Sequence, residues 1–244
     1  MLRIIALLLC LLAPAASWAQ EASAPAHKTS VPQLLLKEYE ASHPEKMILA
    51  FNKVAGQQPD FLEWAKHSPF LEGAKNSDKD AIISRETNRL QQAYASLDIT
   101  QPLIVRAKIN LDEYSTMQEM LTLNEFTPKT FFSYNIYGQK VAVIPQDIAK
   151  FHTIKLGSAE MEEILSKAGS NQVIAELLLK PAVADAKAPF VVEGTPYWLL
   201  LAQICEIRFW AKKEDKGELV WFYRADWYKP EADKALMDLK SGGF

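Results

Sequence analysis

Cysteine is nearly absent from this 244-residue chain: there are two, Cys10 and Cys205. A small fold held by a disulfide framework is therefore excluded. Glycine is also scarce at nine residues. No glycine-rich phosphate loop occurs, and a backbone cradle for nucleotides is poorly supplied. With four histidines, the chain offers only one spacing, Glu63 and His67 at i and i+4, that could share a proton or a metal. A metal site needs three or four ligands, so the pair reads as an exposed charge-assisted contact. No metal or cofactor is expected. There is no Gly-x-Ser-x-Gly elbow, no Ser-x-x-Lys, no His-Glu-x-x-His and no Ca²⁺ loop.

A basic stripe is missing too. The chain carries 27 basic and 30 acidic residues, and Lys212-Lys213 is followed at once by Glu214-Asp215. Phosphate-backbone binding needs clustered positive charge, so nucleic acid is not an expected partner. No Asn-x-Ser/Thr acceptor is present, which fits a bacterial periplasmic protein better than a glycosylated secretory one.

What is present begins at the N-terminus. Met1-Leu2-Arg3 is a short positive start, Ile4 to Ala13 is apolar, and Ser17-Trp18-Ala19 places small residues where a signal peptidase reads. The apolar run is roughly half the length of a membrane-spanning helix, and no second run of that kind follows. Residues 1–19 are thus expected to be a cleaved export signal, with no transmembrane segment after cleavage. Cys10 leaves with the signal, and Cys205 is expected to be a buried strand residue. Removing the signal leaves 225 of the 244 residues and shifts the net charge from −3 to −4. Hydrophobic content of 49% and charged content of 23% suit one packed domain.

Residues 20–32, rich in Ala, Ser, Pro and Glu, read as a flexible tether. Residues 33–244 read as one domain, with 33–97 helical and 103–230 mainly β. In the helical part, Leu35, Leu36 and Tyr39 form one apolar patch. Met47, Ile48, Phe51 and Val54 form another, in a helix that follows Pro44 and ends at Gly56. Pro59-Asp60 opens a short helix through Trp64. The longest helix follows Ser77, whose spacing to Asp80 resembles a capping box, and carries the stripe Ile83, Leu90, Tyr94 and Leu97. That stripe could pack on its own sheet or assemble with another chain.

After Pro102 the period changes to two, with Leu103, Val105, Ala107 and Ile109 on one face. Met117–Phe126 reads as a strand. Phe131–Ile136 and Val141–Ile144 form a hairpin with Gly138 at its turn. A helix capped by Ser158 runs to Gly169. Val173–Leu179 suits a strand or a helix, and residues 181–189 read as an Ala/Pro-rich loop. Tyr197–Ala211 and Leu219–Ala225 are strands joined by Lys212–Glu218, and Ser241–Phe244 are expected to fray. Helices first and strands later favour an α+β fold with a mainly antiparallel sheet.

The one unusual concentration is aromatic. Trp198, Trp210, Trp221 and Trp227 are four of the five tryptophans remaining after signal cleavage. Strict alternation groups Cys205, Ile207 and Phe209 on one strand face and Glu206, Arg208 and Trp210 on the other. Trp210, Trp221, Tyr223 and Trp198 are the candidate ligand-binding residues, since aromatic faces on a sheet can stack sugars or line an apolar pocket. The competing reading is cross-strand packing. Without a catalytic motif, the expected function is an exported, non-catalytic protein that binds an envelope protein or a small ligand. A site assembled from dispersed residues leaves no sequence trace, so the alternative is a periplasmic hydrolase acting on cell-wall material.

Overall fold

A computed structural model describes residues 39–213 and 216–230. The expected signal (1–19) and tether (20–32), Leu35 and Leu36, part of the Lys212–Glu218 turn, and the C-terminal residues lie outside that range. The described chain is an α+β domain: four α-helices and a six-stranded, mainly antiparallel sheet, with a smaller three-stranded sheet.

Helix α1 (Pro44–Val54) forms where a proline sits in the first turn and apolar residues recur at helical spacing. Its Met47, Ile48, Leu49, Ala50 and Phe51 are all buried. Each large side chain among these contributes roughly 1.5–3 kcal/mol by leaving water. Helix α2 (Phe61–Lys66) is capped by Asp60, which accepts from the Glu63 amide at 2.9 Å. Helix α3 (Asn76–Ser96) has no side-chain N-cap. Ser77 donates to Asp78 instead, so the expected capping box does not form. The far end of α3 is satisfied from elsewhere: Lys53 Nζ donates to the carbonyls of Tyr94, Ala95 and Leu97 at 2.9, 3.1 and 2.6 Å. A cation at the negative end of a helix is favourable on both hydrogen-bond and dipole grounds. The α3 stripe packs inward: Leu90 is buried, and Ile83, Tyr94 and Leu97 lie against the same core. It serves this chain's own fold.

The large sheet has the order β1-β7-β8-β5-β4, with β9 pairing the far part of β8. Its strands are β1 (Leu103–Asn110), β4 (Phe132–Ile136), β5 (Gln139–Pro145), β7 (Gln172–Val192), β8 (Thr195–Lys213) and β9 (Lys216–Arg224). Only β5 and β8 run parallel. The small sheet is β2 (Glu113–Ser115), β3 (Met120–Thr122) and β6 (Thr153–Lys155). The strand expected over Met117–Phe126 is thus confined to three residues, because Glu119 turns through a positive φ just before it. Helix α4 (Ser158–Ala168) packs on β8 and β9. Its N-cap is Gly157, with no side-chain cap, which displaces the cap expected at Ser158.

One expectation about the long hairpin needs correction. Residues 181–189 are strand rather than loop: β7 continues to Val192 and turns through Glu193-Gly194 into β8. The prolines fit because this half of β7 lies beyond the end of β1, where its outer edge has no partner among the described residues. Proline, which cannot donate to a ladder, is tolerated on such an edge. The expected separation of Ile207 and Phe209 from Trp210 holds, and only Cys205 departs from the alternation. Leu178 pairs Glu206 but Leu179 pairs Ile204, leaving Cys205 as an extra residue in a bulge. One extra residue flips every later side chain to the other face. Hence Leu200 and Ala202 are in the helix-side core before the bulge, and Ile207 and Phe209 after it.

Candidate functional site

The four candidate aromatic residues do not form one surface. Trp221 is buried on the helix-facing side, stacked on Phe209 with ring centroids 4.5 Å apart. Tyr223 meets the edge of Phe151 at 4.6 Å, and Trp198 meets Phe51 of α1 at 6.1 Å. Both belong to the same core. Trp210 lies on the opposite face, 4% exposed, packed with Leu219, Phe222 and Ile174. The aromatic concentration is divided between two layers of packing. Cys205 is buried, and burial pushes its thiol up to about 12, so it is protonated at neutral pH. Glu63 and His67 are 3.4 Å apart on an exposed turn, with Lys66 closer to the same carboxylate at 2.8 Å. Among the described residues, no group of three His, Cys, Asp or Glu could hold a metal ion.

Two charged constellations stand out instead, and neither is visible as a motif. The first lies on the sheet face away from the helices. Glu176 of β7 sits beside Arg208 of β8 (3.3 Å), and Glu206 accepts from Arg208 Nε at 2.7 Å and from its Nη2. Arg224 of β9, directly opposite Glu206, donates to it at 2.5 Å. The Tyr39 amide donates to Glu176 at 2.8 Å, and the Tyr39 ring covers the Arg208 guanidinium at 4.7 Å. Both carboxylates are 0% exposed. Burial raises the Glu176 carboxyl, outweighing the Tyr39 amide and the Arg208 and Arg106 charges. Buried charges survive only when paired in this way.

The second constellation lines a cleft of about 760 Å³ between α1, α3 and the β4–β5 turn. Arg89 of α3 grips Glu45 of α1 with both ends of its fork, at 2.8 and 2.7 Å, and reaches Glu86 through Nε at 2.9 Å. Tyr137 donates to Glu45 at 2.5 Å while its ring stacks on Trp64, centroids 5.1 Å apart and planes 15° apart. Burial works against ionisation of Glu45, but the bonds from Arg89 and Tyr137 win and hold the carboxyl below its ordinary value. Burial and the bond to Glu45 raise the Tyr137 phenol. The rest of the wall mixes apolar Leu49, Phe70, Ala93, Leu97 and Ile136 with polar His43, Lys46, Ser96, Asp98 and Gln101.

Glu45, Arg89 and Tyr137 were all missed by the sequence reading, and of the three Tyr137 alone carried a local clue. Tyr137 and Gly138 occupy a two-residue turn with φ of 54° and 73°. Such turns favour Asn-Gly, since a bulky residue at positive φ is strained. An aromatic there signals that its side chain is needed, and Tyr-Gly between two strand-like runs was the available clue.

Chemically, Glu45 itself is poorly arranged for proton transfer. A general acid needs a raised carboxyl and a base needs a free lone pair, whereas Glu45 is held ionised and its oxygens are occupied. A concave space of several hundred Å³ that combines apolar patches with fixed polar groups suits reversible ligand binding. No family model, curated protein or solved structure matches the chain. No helix among the described residues is long and apolar enough to cross a membrane.

Proposed function

We propose that this chain is an exported, non-catalytic envelope protein that binds a small ligand with an apolar body in the cleft between α1, α3 and the β4–β5 turn. The observation that carries this reading is the cleft itself: about 760 Å³, with apolar patches from Leu49, Phe70, Leu97 and Ile136 beside the interlocked Glu45, Arg89 and Tyr137. Those polar groups are positioned before any ligand arrives, which lowers the ordering cost of binding. The export signal expected in residues 1–19 supplies the compartment.

The test compares native with denatured mass for protein exported and purified from its native host. A mass excess lost on denaturation, and diminished in Phe70→Ala, supports the reading. Phe70 lines the cleft and is 60% exposed, so its loss leaves the fold intact. A bare chain that turns over cell-wall fragments would overturn it in favour of a hydrolase.

A further inference from the structure

The edges of the large sheet are not treated alike. On β1, Ser42 covers the edge, exchanging bonds with Ile104 in both directions at 2.9 Å, and Arg106 and Lys108 follow along the strand. The distal edge of β7 carries Pro181, Asp185, Lys187 and Pro189, and its register shifts twice over the same stretch. Prolines, charges and bulges are the devices by which sheets prevent another strand from joining. The edge strand β4, Phe132–Ile136, has none of them. It contains no charge, no proline and no glycine, and it pairs in regular register with β5. No strand lies on its outer side among the described residues.

We infer that β4 is an association edge, and that it pairs with β4 of a second copy of this chain. The choice of occupant follows from self-complementarity. A two-fold axis through Tyr134 sets Tyr134 opposite itself, Ser133 opposite Asn135 of the other copy, and Phe132 opposite Ile136. A strand bearing charge would confront its own charge in such a pairing, and β4 presents only neutral residues. Phe132, Tyr134 and Ile136 lean on the helix-side core, while Ser133 and Asn135 are exposed on the other face. The join continues both faces of the sheet into the second copy. A five-residue ladder is short of a standard interface of roughly 1,200–2,000 Å², so the dimer dissociates on dilution.

Sedimentation of the protein over a range of concentrations tests this, with a charge exchange on the exposed pair. The wild-type mass doubles as concentration rises. Ser133→Glu with Asn135→Glu sets acid against acid across the axis and stays monomeric, and Ser133→Lys with Asn135→Lys does the same. An equimolar mixture of the two variants restores the dimer, which a merely unfolded variant could not do. A wild-type chain that remains a monomer throughout overturns the inference. So does a dimer that both variants leave intact, since it would use another surface. If the edge instead captures an extended segment of a different protein, the wild type stays monomeric alone, and the second-copy assignment fails.

Discussion

Replacing Arg208 by Met tests the physical account of the far face most severely. The substitution keeps much of the side-chain volume and removes one positive charge from between two carboxylates that are both 0% exposed. Breaking a buried ion pair from one side costs about 3–5 kcal/mol, because the partner is left charged in a poor dielectric. Here the carboxylates retain other partners. Glu206 keeps Arg224 at 2.5 Å, and Glu176 keeps the Tyr39 amide at 2.8 Å and Arg106 at 4.0 Å. The cost therefore falls at the lower end, about 3 kcal/mol, or a drop in Tm of roughly 6–12 °C for a chain of this size. The sign of the pH dependence follows from Glu176, whose carboxyl already stands above its ordinary value in the folded state. Its ionised form penalises folding at high pH, and the penalty disappears as pH falls through the raised value. Arg208→Met raises it further, so the deficit relative to wild type shrinks as pH falls from neutrality toward the ordinary carboxyl range. Urea unfolding at a series of pH values measures both. A loss below about 1 kcal/mol that does not vary with pH would refute the buried-charge account, since that is the behaviour of a surface pair.

Tyr137→Phe removes one hydroxyl from the clamp on Glu45 and is expected to cost about 1–2 kcal/mol in denaturant unfolding. Because Glu45 is held below its ordinary value, its contribution is present above the unfolded carboxyl range and lost as pH falls beneath about 4; the variant's deficit should vanish there. Trp210→Ala empties the pocket formed with Leu219, Phe222 and Ile174 and is expected to cost about 3–5 kcal/mol. A thermal melt checks it, and an unchanged Tm together with a loss of ligand would return Trp210 to the binding role its sequence position suggested.

Local pattern was enough for most elements. Pro44, Asp60 and Gly56 mark helix ends by the backbone conformations they impose, and the periods around Leu90 and Val105 tell helix from strand. The α+β class follows from that order. The turn at Gly138 was legible for the same reason, since a two-residue hairpin needs positive φ.

What the chain's linear pattern left open was decided by contacts between distant residues. The Ala/Pro stretch 181–189 has poor intrinsic strand preference, yet it is strand because β8 pairs it as far as Asp185 and again from Phe190, with an irregularity between them. A bulge at Cys205 reverses the parity that alternation assigns to the residues before it. Glu206 and Arg208 look like a wet face in sequence, and they are buried because Glu176, Arg224 and Tyr39, far away along the chain, meet them there. Glu45, Arg89 and Tyr137 likewise have no fixed spacing to betray them, because their partnership exists only once two helices and a hairpin have packed. Periodicity records what each residue asks of its neighbours in the chain; which charges become buried, and beside what, is settled when the layers close.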